Sequence, residues 1–486
     1  AATRVDENGL VNYAEIIGGE EVTNGDFSGG STGWTTSGGW SITDKATNSG
    51  SGGQIYPVSN SWVSGSTVRF LVTVSNRTTG HIRIQNPAVS VYYQNNINTN
   101  DSFIFEFTTV DSAGWKIEAI SGFDGTIDNV SVKEVTRDNV PRIDYTGGGC
   151  PHILAEPQRT NQITQNNQFD TTWVASNLGL TSGQNGIYNT TDAWLFNATN
   201  SLANVTISVS TSGENTYSVY AKAGTEDGIF IRFSGGSNPR AFFNLTNGTL
   251  ISESGTTNTN VENIGNGWYR CSITGSETIT DARIYVADSS GNFASSGNIY
   301  IQYSQLENGS YPTSIIPTSG STVTRNQDIF TRDGIGSLIN STEGVLFLEV
   351  AALSLLSDVS RVIMLTSSDG LNYVNIYFQS DGRLTVYNNV NGVNTVLFQQ
   401  VLNDITLFNK CALKWGSQGY ELWVNGIKLE SSTSTSVPIG LSEINFNWNG
   451  GIRHFYGKVK QLQVYKTALT DEQLLQLTGE SGTDFY

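Results

Sequence analysis

Charge of either sign is scarce in this chain of 486 residues: Asp, Glu, Lys and Arg make up only 14%, with 26 basic against 43 acidic residues and a net charge of −17. Too few Lys and Glu remain to furnish the charged faces of surface helices. The deficit of base argues against nucleic acid, because duplex binding depends on Lys and Arg neutralising phosphates, and against an anionic membrane surface for the same reason. Cysteine is scarcer still. Cys150, Cys271 and Cys411 are more than a hundred residues apart, a spacing that suits neither a metal site nor a disulfide framework, so free thiols are expected. The three histidines, His81, His152 and His454, fall in three different segments, which argues against a His-based triad or zinc site inside one domain. No run of 18 apolar residues exists to span a bilayer, and the opening Ala1-Ala-Thr-Arg-Val-Asp6 lacks the apolar region of a signal peptide. A soluble chain without membrane insertion is expected.

What is abundant is glycine, with 52 residues, and aromatic rings, with 10 Trp and 20 Tyr. Plentiful turn formers with few helix formers favour strands joined by tight turns, and this many rings fill several cores with some to spare. At roughly 100–200 residues per domain, the length predicts three domains.

Period-two alternation locates the strands. In residues 21–136 it runs through Thr67-Val-Arg-Phe-Leu-Val-Thr-Val74, His81-Ile-Arg-Ile84 and Ser102-Phe-Ile-Phe-Glu-Phe107, between an opening Asn24-Gly-Asp-Phe27 and a closing Ile127-Asp-Asn-Val-Ser-Val132. Residues 161–325 repeat the plan, opening on Asn166-Asn-Gln-Phe169 and closing on Ile299-Tyr-Ile-Gln-Tyr303. Two diverged copies of one sandwich are the economical reading. Adjacent termini would let the first copy sit as an insertion in an older chain, with residues 1–20 as an N-terminal segment and 137–160 as an ordered connector.

The last domain, 326–486, carries the clearest turns. Asn425-Gly426 between alternating strands is a strong hairpin signal, because both residues accept positive φ, and Ser380-Asp381-Gly382 marks another. One short helix is expected: Thr470-Asp-Glu-Gln473 forms a capping box before Leu474, Leu475 and Leu477, and Gly479 stops it. The predicted class is all-β, three tandem jelly-roll β-sandwich domains with one short C-terminal helix.

Catalytic signals are thin. Gly29-Gly-Ser-Thr-Gly33 matches a nucleophile pattern but lacks the strand before it and helix after it. Asp124 with Asp128, and Glu349 with Glu421, are acidic pairs of the kind a glycosidase needs, yet each reads as a turn or strand-face residue. No catalytic residue is assigned and no enzyme activity is expected. Sugars, by contrast, pack their C–H faces on flat rings. Trp34, Trp40, Trp62 and Tyr92 in the first domain, Trp194 in the second, and Trp448 and Tyr456 in the third are the candidate carbohydrate-binding rings. Trp62, between Ser61 and Val63, and Trp448, between Asn447 and Asn449, are expected to be the most exposed, while Trp268 and Trp423 read as core.

Three resemblances add to this reading. Residues 343–480, through Glu343-Gly-Val-Leu-Phe-Leu-Glu-Val350, the Tyr420–Gly426 hairpin and the closing Gly457–Gln473 stretch, resemble the laminin-G/concanavalin-A-like lectin fold. The 21–136 domain is similar to galactose-binding-like carbohydrate-binding modules, which implies a structural calcium held by Asp128 and by Asp26 or a carbonyl near Asn24. The fragments Ala2–Val11, Val140–Pro151, Glu156–Asn161, Gln305–Tyr311 and Thr318–Arg325 look like a set that occurs in order in tailed-bacteriophage virion proteins. That resemblance implies a virion surface (extracellular) location in a fibre or appendage. Its expected partners are host-surface polysaccharide and other virion proteins, in a homo-oligomer with a trimer favoured. A structural decoration without sugar binding and a polysaccharide depolymerase are the rival readings.

Overall fold

A computed structural model describes residues 3–7, 11–59, 62–146, 150–187, 191–354, 361–379, 381–448 and 451–479. Ser380 and the Gly147 to Gly149 run of the expected turns lie outside them. Among the described residues the protein is all-β apart from a single turn of 3-10 helix, Gly336–Leu338, and one short α-helix, Asp471–Thr478. Among the described residues no helix is long and apolar enough to cross a membrane.

The chain divides into two compact units, one made of Ala1–Ala14 with Pro141–Tyr486 and the other of Glu15–Val140. In the second unit two long strands, Thr67–Gln85 and Lys116–Thr136, pair antiparallel from Lys116↔Gln85 to Glu134↔Val68. Register shifts after Ile120 and Asp128 bend the pair, as bulges do in a sheet that curls over its own core. Alternate residues Val68, Phe70, Val72, Val74, Ile82 and Ile84 point inward, each almost fully buried. The unit closes on itself, because Ile17 pairs with Val135. Entry and exit of the chain are therefore adjacent.

In the larger unit the segments flanking residues 15–140 are joined directly: the Val5 amide donates to Asp144 Oδ2 at 2.9 Å, and the Tyr145 amide to the Val5 carbonyl at 3.0 Å. Two six-stranded antiparallel sheets then form a sandwich over residues 174–308. Their inner faces bury Phe169, Trp194, Phe196, Val219, Ile231 and Ile284 among others. One of these sheets is covered on its outer face too, which is why Glu214–Ala223 and Trp268–Ser276 are buried almost throughout.

The final sandwich pairs a six-stranded sheet with a seven-stranded one. Two strands of the latter come from far upstream: Ile143–Asp144 pairs with His152–Ala155, which pairs with Gly457–Tyr465. The expected connector thus supplies an edge of this sheet. Gly344–Ala352 is apolar on both faces for a definite reason. Leu346, Leu348 and Val350 face the sandwich core, whereas Val345 and Phe347 pack with Ala412 and Trp423 against Leu474 of the helix. That helix starts at Thr470, whose hydroxyl accepts from the Gln473 amide while the Gln473 side chain accepts from the Thr470 amide. At the hairpin Asn425 and Gly426 have φ of 48° and 80°, as a type I′ turn requires. The three cysteines are unpaired, with Cys150 exposed and the others buried.

Candidate functional site

Most of the rings expected to meet sugar are packed in cores instead. Trp34 stacks obliquely on Phe27 at 4.9 Å and donates its indole N–H to the Asn24 carbonyl at 2.8 Å. Asn24 itself takes φ of 56° and binds the Gly29 amide and the Gly30 and Thr32 carbonyls, so the Asn-x-x-Phe opening is a loop lock. The second sandwich repeats the device: Trp173 lies 5.2 Å from Phe169 and donates to the Gln165 carbonyl at 2.8 Å. Trp194 donates to the Asn167 carbonyl and is buried. Trp40 packs on Phe123, and Trp62 meets Tyr93 and Phe107 edge-on. The expectation that Trp62 is exposed is corrected by its 8% exposure; an indole placed between two strands removes too much apolar area from water to turn outward. Tyr456 is buried as well and donates its hydroxyl to Gln327 Oε1 at 2.5 Å. Tyr92 alone of the seven is fully open, at 45% exposure, with the Arg83 guanidinium 4.5 Å from its ring. Trp268 and Trp423 are core, as read.

The two carboxylates expected to hold calcium are engaged elsewhere. Asp128 forms an ion pair with Lys45 at 3.1 Å, and Asp26 accepts from the amide and hydroxyl of Ser28. Among the described residues no group of three or more His, Cys, Asp or Glu side chains is gathered to hold a metal. An ammonium already seated on Asp128 opposes a cation, so this arrangement does not fit a hard-oxygen cage. The acidic pairs are likewise committed: Asp124 accepts from Thr78, and Glu421 is held by Lys414 and Lys428.

Trp448 is different. It is half-buried, on a turn closed by its amide to the Ile452 carbonyl at 2.7 Å. Three tyrosines surround it edge-on, with centroid distances of 5.6 Å to Tyr373, 6.1 Å to Tyr377 and 5.5 Å to Tyr387. The Arg453 guanidinium lies 5.2 Å from the Trp448 ring and 5.6 Å from Tyr377. Arg453 is exposed and holds φ of 54°, a left-handed conformation rarely taken by a long side chain. Strand alternation builds this face. Val374, Ile376 and Val386 point into the core, so Tyr373, Asn375, Tyr377, Tyr387 and Asn389 point out. Two polar atoms on this face are buried with no partner, the Asn375 amide nitrogen and the Asn389 side-chain oxygen. Leaving such groups unpaired costs about 1–3 kcal/mol each, so the face is short of one acceptor and one donor. Of this constellation only Trp448 had been singled out from the sequence. The alternation of Tyr373–Phe378 and Arg383–Val390 was the signal for the rest, because it puts three tyrosines and two asparagines on one side.

The fragments around 140–161 and 305–325 converge on a different place, in the larger unit. Arg142, Glu156, Ser314, Arg325 and Asp328 form one buried network: Arg142 bonds Glu156 at 2.5 Å and also Asp328, and Arg325 bonds Glu156 and the Pro157 carbonyl. Burial alone would raise the Glu156 carboxyl, but the Arg142 and Arg325 guanidiniums and the Ser314 hydroxyl hold it far below the usual carboxylate range. Beside it Glu307 accepts from the Thr313 amide, the Thr313 hydroxyl and Gln305, and Asn161 bonds Ile163, Leu306 and Ile316. These motifs carry structure.

No protein-family model matches the chain, and neither does any curated protein. Among solved structures the chain is similar to the CBM40 of the Ruminococcus gnavus IT-sialidase, at 16% identity and a TM-score of 0.26, over 31% of this chain and 99% of that one. It is also similar to the leech intramolecular trans-sialidase, at 19% identity and a TM-score of 0.26, over 32% of this chain and 29% of that one. A third likeness is to the heptameric SAP-like pentraxin from Limulus polyphemus, at 14% identity and a TM-score of 0.25, over 29% of this chain and 72% of that one.

Proposed function

We propose that this protein binds carbohydrate on the outer face of its last sandwich, with Trp448 and Tyr387 as the stacking platform. The observation that carries the reading is the unpaired Asn375 amide and Asn389 oxygen within the ring of tyrosines around Trp448. A sugar hydroxyl is both donor and acceptor, so one that enters between these rings would meet both needs, and the sugar's C–H face suits the half-buried Trp448 and Tyr387. Arg453 and Asn394, the latter accepting from the Tyr373 hydroxyl at 3.0 Å, lie at the edge to read further hydroxyls. Screening the full chain on a panel of immobilised glycans, beside Trp448→Ala, tests this; the reading requires hits that the variant loses.

The finer reading is a virion surface protein of a tailed phage, in a fibre or appendage, engaging host polysaccharide. What supports it is the ordered set of fragments around 2–11, 140–161 and 305–325. Weak single sites repeated over a homo-oligomer would gain avidity without new contacts. Immunogold labelling of purified particles tests the location. We read the chain as a binder and not a hydrolase, since Asp124, Asp128 and Glu421 are already bonded; release of reducing ends from a bound polysaccharide would reverse that. One observation favours a structural decoration as the second reading, namely that five of the seven candidate rings are spent in packing.

A further inference from the structure

A recess lies in the larger unit, and Trp448 is not among the residues that line it. It encloses about 590 Å³ and is lined by Arg4, Tyr220, Asn260, Glu262, Arg270 and Lys458 among others. That volume falls in the range of small-ligand sites, roughly 300–1,000 Å³. The Asn258–Gly265 strand builds one wall. It pairs Glu262 with Arg270 and Asn260 with Ser272, and directly paired residues share a face of the sheet.

The charges in this recess do not cancel. Arg270 is only 6% exposed; it donates to Ser218 Oγ at 3.0 Å and to the Thr313 carbonyl at 2.6 Å, and its Nε is buried without a partner. Among the described residues Arg4, Arg270 and Lys458 form no salt bridge. On the acidic side Glu156 is neutralised by Arg142 and Arg325, and Asp144 accepts the amides of Val5 and Thr146. Asp144 stays charged, while burial pushes the Glu262 carboxyl towards the protonated form, against Arg270. Three cations against two acids, Asp144 and the weakened Glu262, leave the recess a site for an anion, and the Asn258 and Asn260 side chains add hydroxyl-reading groups on the same wall as Glu262.

We infer that this recess binds a carboxylated sugar residue, its carboxylate on Arg270 and Lys458 and its hydroxyls on Asn260 and Glu262. The inference is independent of Trp448. Neutral-glycan binding reports on that face, whereas carboxylate-dependent binding reports on this recess, so the two fail separately.

The test is calorimetric titration of the full chain with trigalacturonic acid, its carboxyl-reduced analogue and acetate. The expected result is binding of the acid that weakens with added salt and is lost on carboxyl reduction, with acetate much weaker. Because Arg270 is buried, Lys458→Gln and Asn260→Ala are the informative variants, each checked for an unchanged melting curve. Each should weaken the acid roughly 10- to 100-fold for Lys458 and several-fold for Asn260, as expected for a charged and a neutral hydrogen bond. Equal binding of the reduced analogue, acetate binding as tightly as the sugar, unchanged affinity in both variants, or no binding of the acid at millimolar concentration would each overturn the inference.

Discussion

A tryptophan in this chain serves one of two ends, and what surrounds its ring tells which. Trp34, Trp173 and Trp194 donate to backbone carbonyls of the Asn-Phe loops beside them and fill cores. Trp34→Ala should therefore destabilise its unit by about 3–5 kcal/mol, the usual cost of emptying a large core site, read as a shift of the urea midpoint. Trp448→Ala should cost roughly 1–2 kcal/mol because the ring is half out of the interior, while glycan affinity falls at least as far as an aromatic stacking contact is worth. The sequence separated these two ends poorly. Ser61 beside Trp62, and Asn447 and Asn449 beside Trp448, marked the two alike, but neither ring lies on a strand and its chain neighbours say little about where the ring itself packs. What distinguishes Trp448 is a turn that returns it over three tyrosines from other strands, and no local pattern records that.

At the level of elements, turns and caps were plainly legible. The Asn425-Gly426 hairpin and the Thr470 capping box both form from the residues that announce them, because their chemistry is complete within four residues. Thr470→Ala removes one reciprocal cap and should cost about 1 kcal/mol, confined to the helix and visible as faster amide exchange at Leu474 and Leu475. Sheet order was not legible. His152–Ala155 pairs with Gly457–Tyr465 across some three hundred residues of sequence, and only the meeting of exposed strand edges in three dimensions decides such a partner. The same holds for Ile17 with Val135, although the reading of adjacent termini in the first domain came from its two end motifs.

For the whole molecule, the fragments around 140–161 and 305–325 show how order along a chain becomes one site in space. Arg142, Glu156 and Arg325 lie in separate fragments and meet in a single buried network. Glu156→Gln would leave two buried guanidiniums short of their carboxylate, at a cost of about 3–5 kcal/mol. The network also sets an acid limit. Glu156 ionises far below its unfolded value near 4.5, so its contribution is present above that pH and is lost as pH falls through the folded pKa. Asp328 works in the other sense, since burial pushes its carboxyl up against the pull of Arg142, and it offsets part of that loss. His152 responds earlier: burial holds its pKa down to about 4, against the pull of Asp144. The unfolded chain takes up that proton near pH 6.5, so stability should fall between pH 6.5 and 4 by on the order of 3 kcal/mol. Thermal melts of wild type and His152→Gln across that window check it, and the variant should show the flatter profile.

The most direct test of sugar binding at the Trp448 face is a glycan titration followed by tryptophan fluorescence, with Trp448→Phe as the control chain. The expected result is a saturable change in wild type that disappears in Trp448→Phe while both proteins melt at closely similar temperatures. A glycan that binds both chains equally, or a panel in which no glycan binds wild type at millimolar concentration, would contradict it.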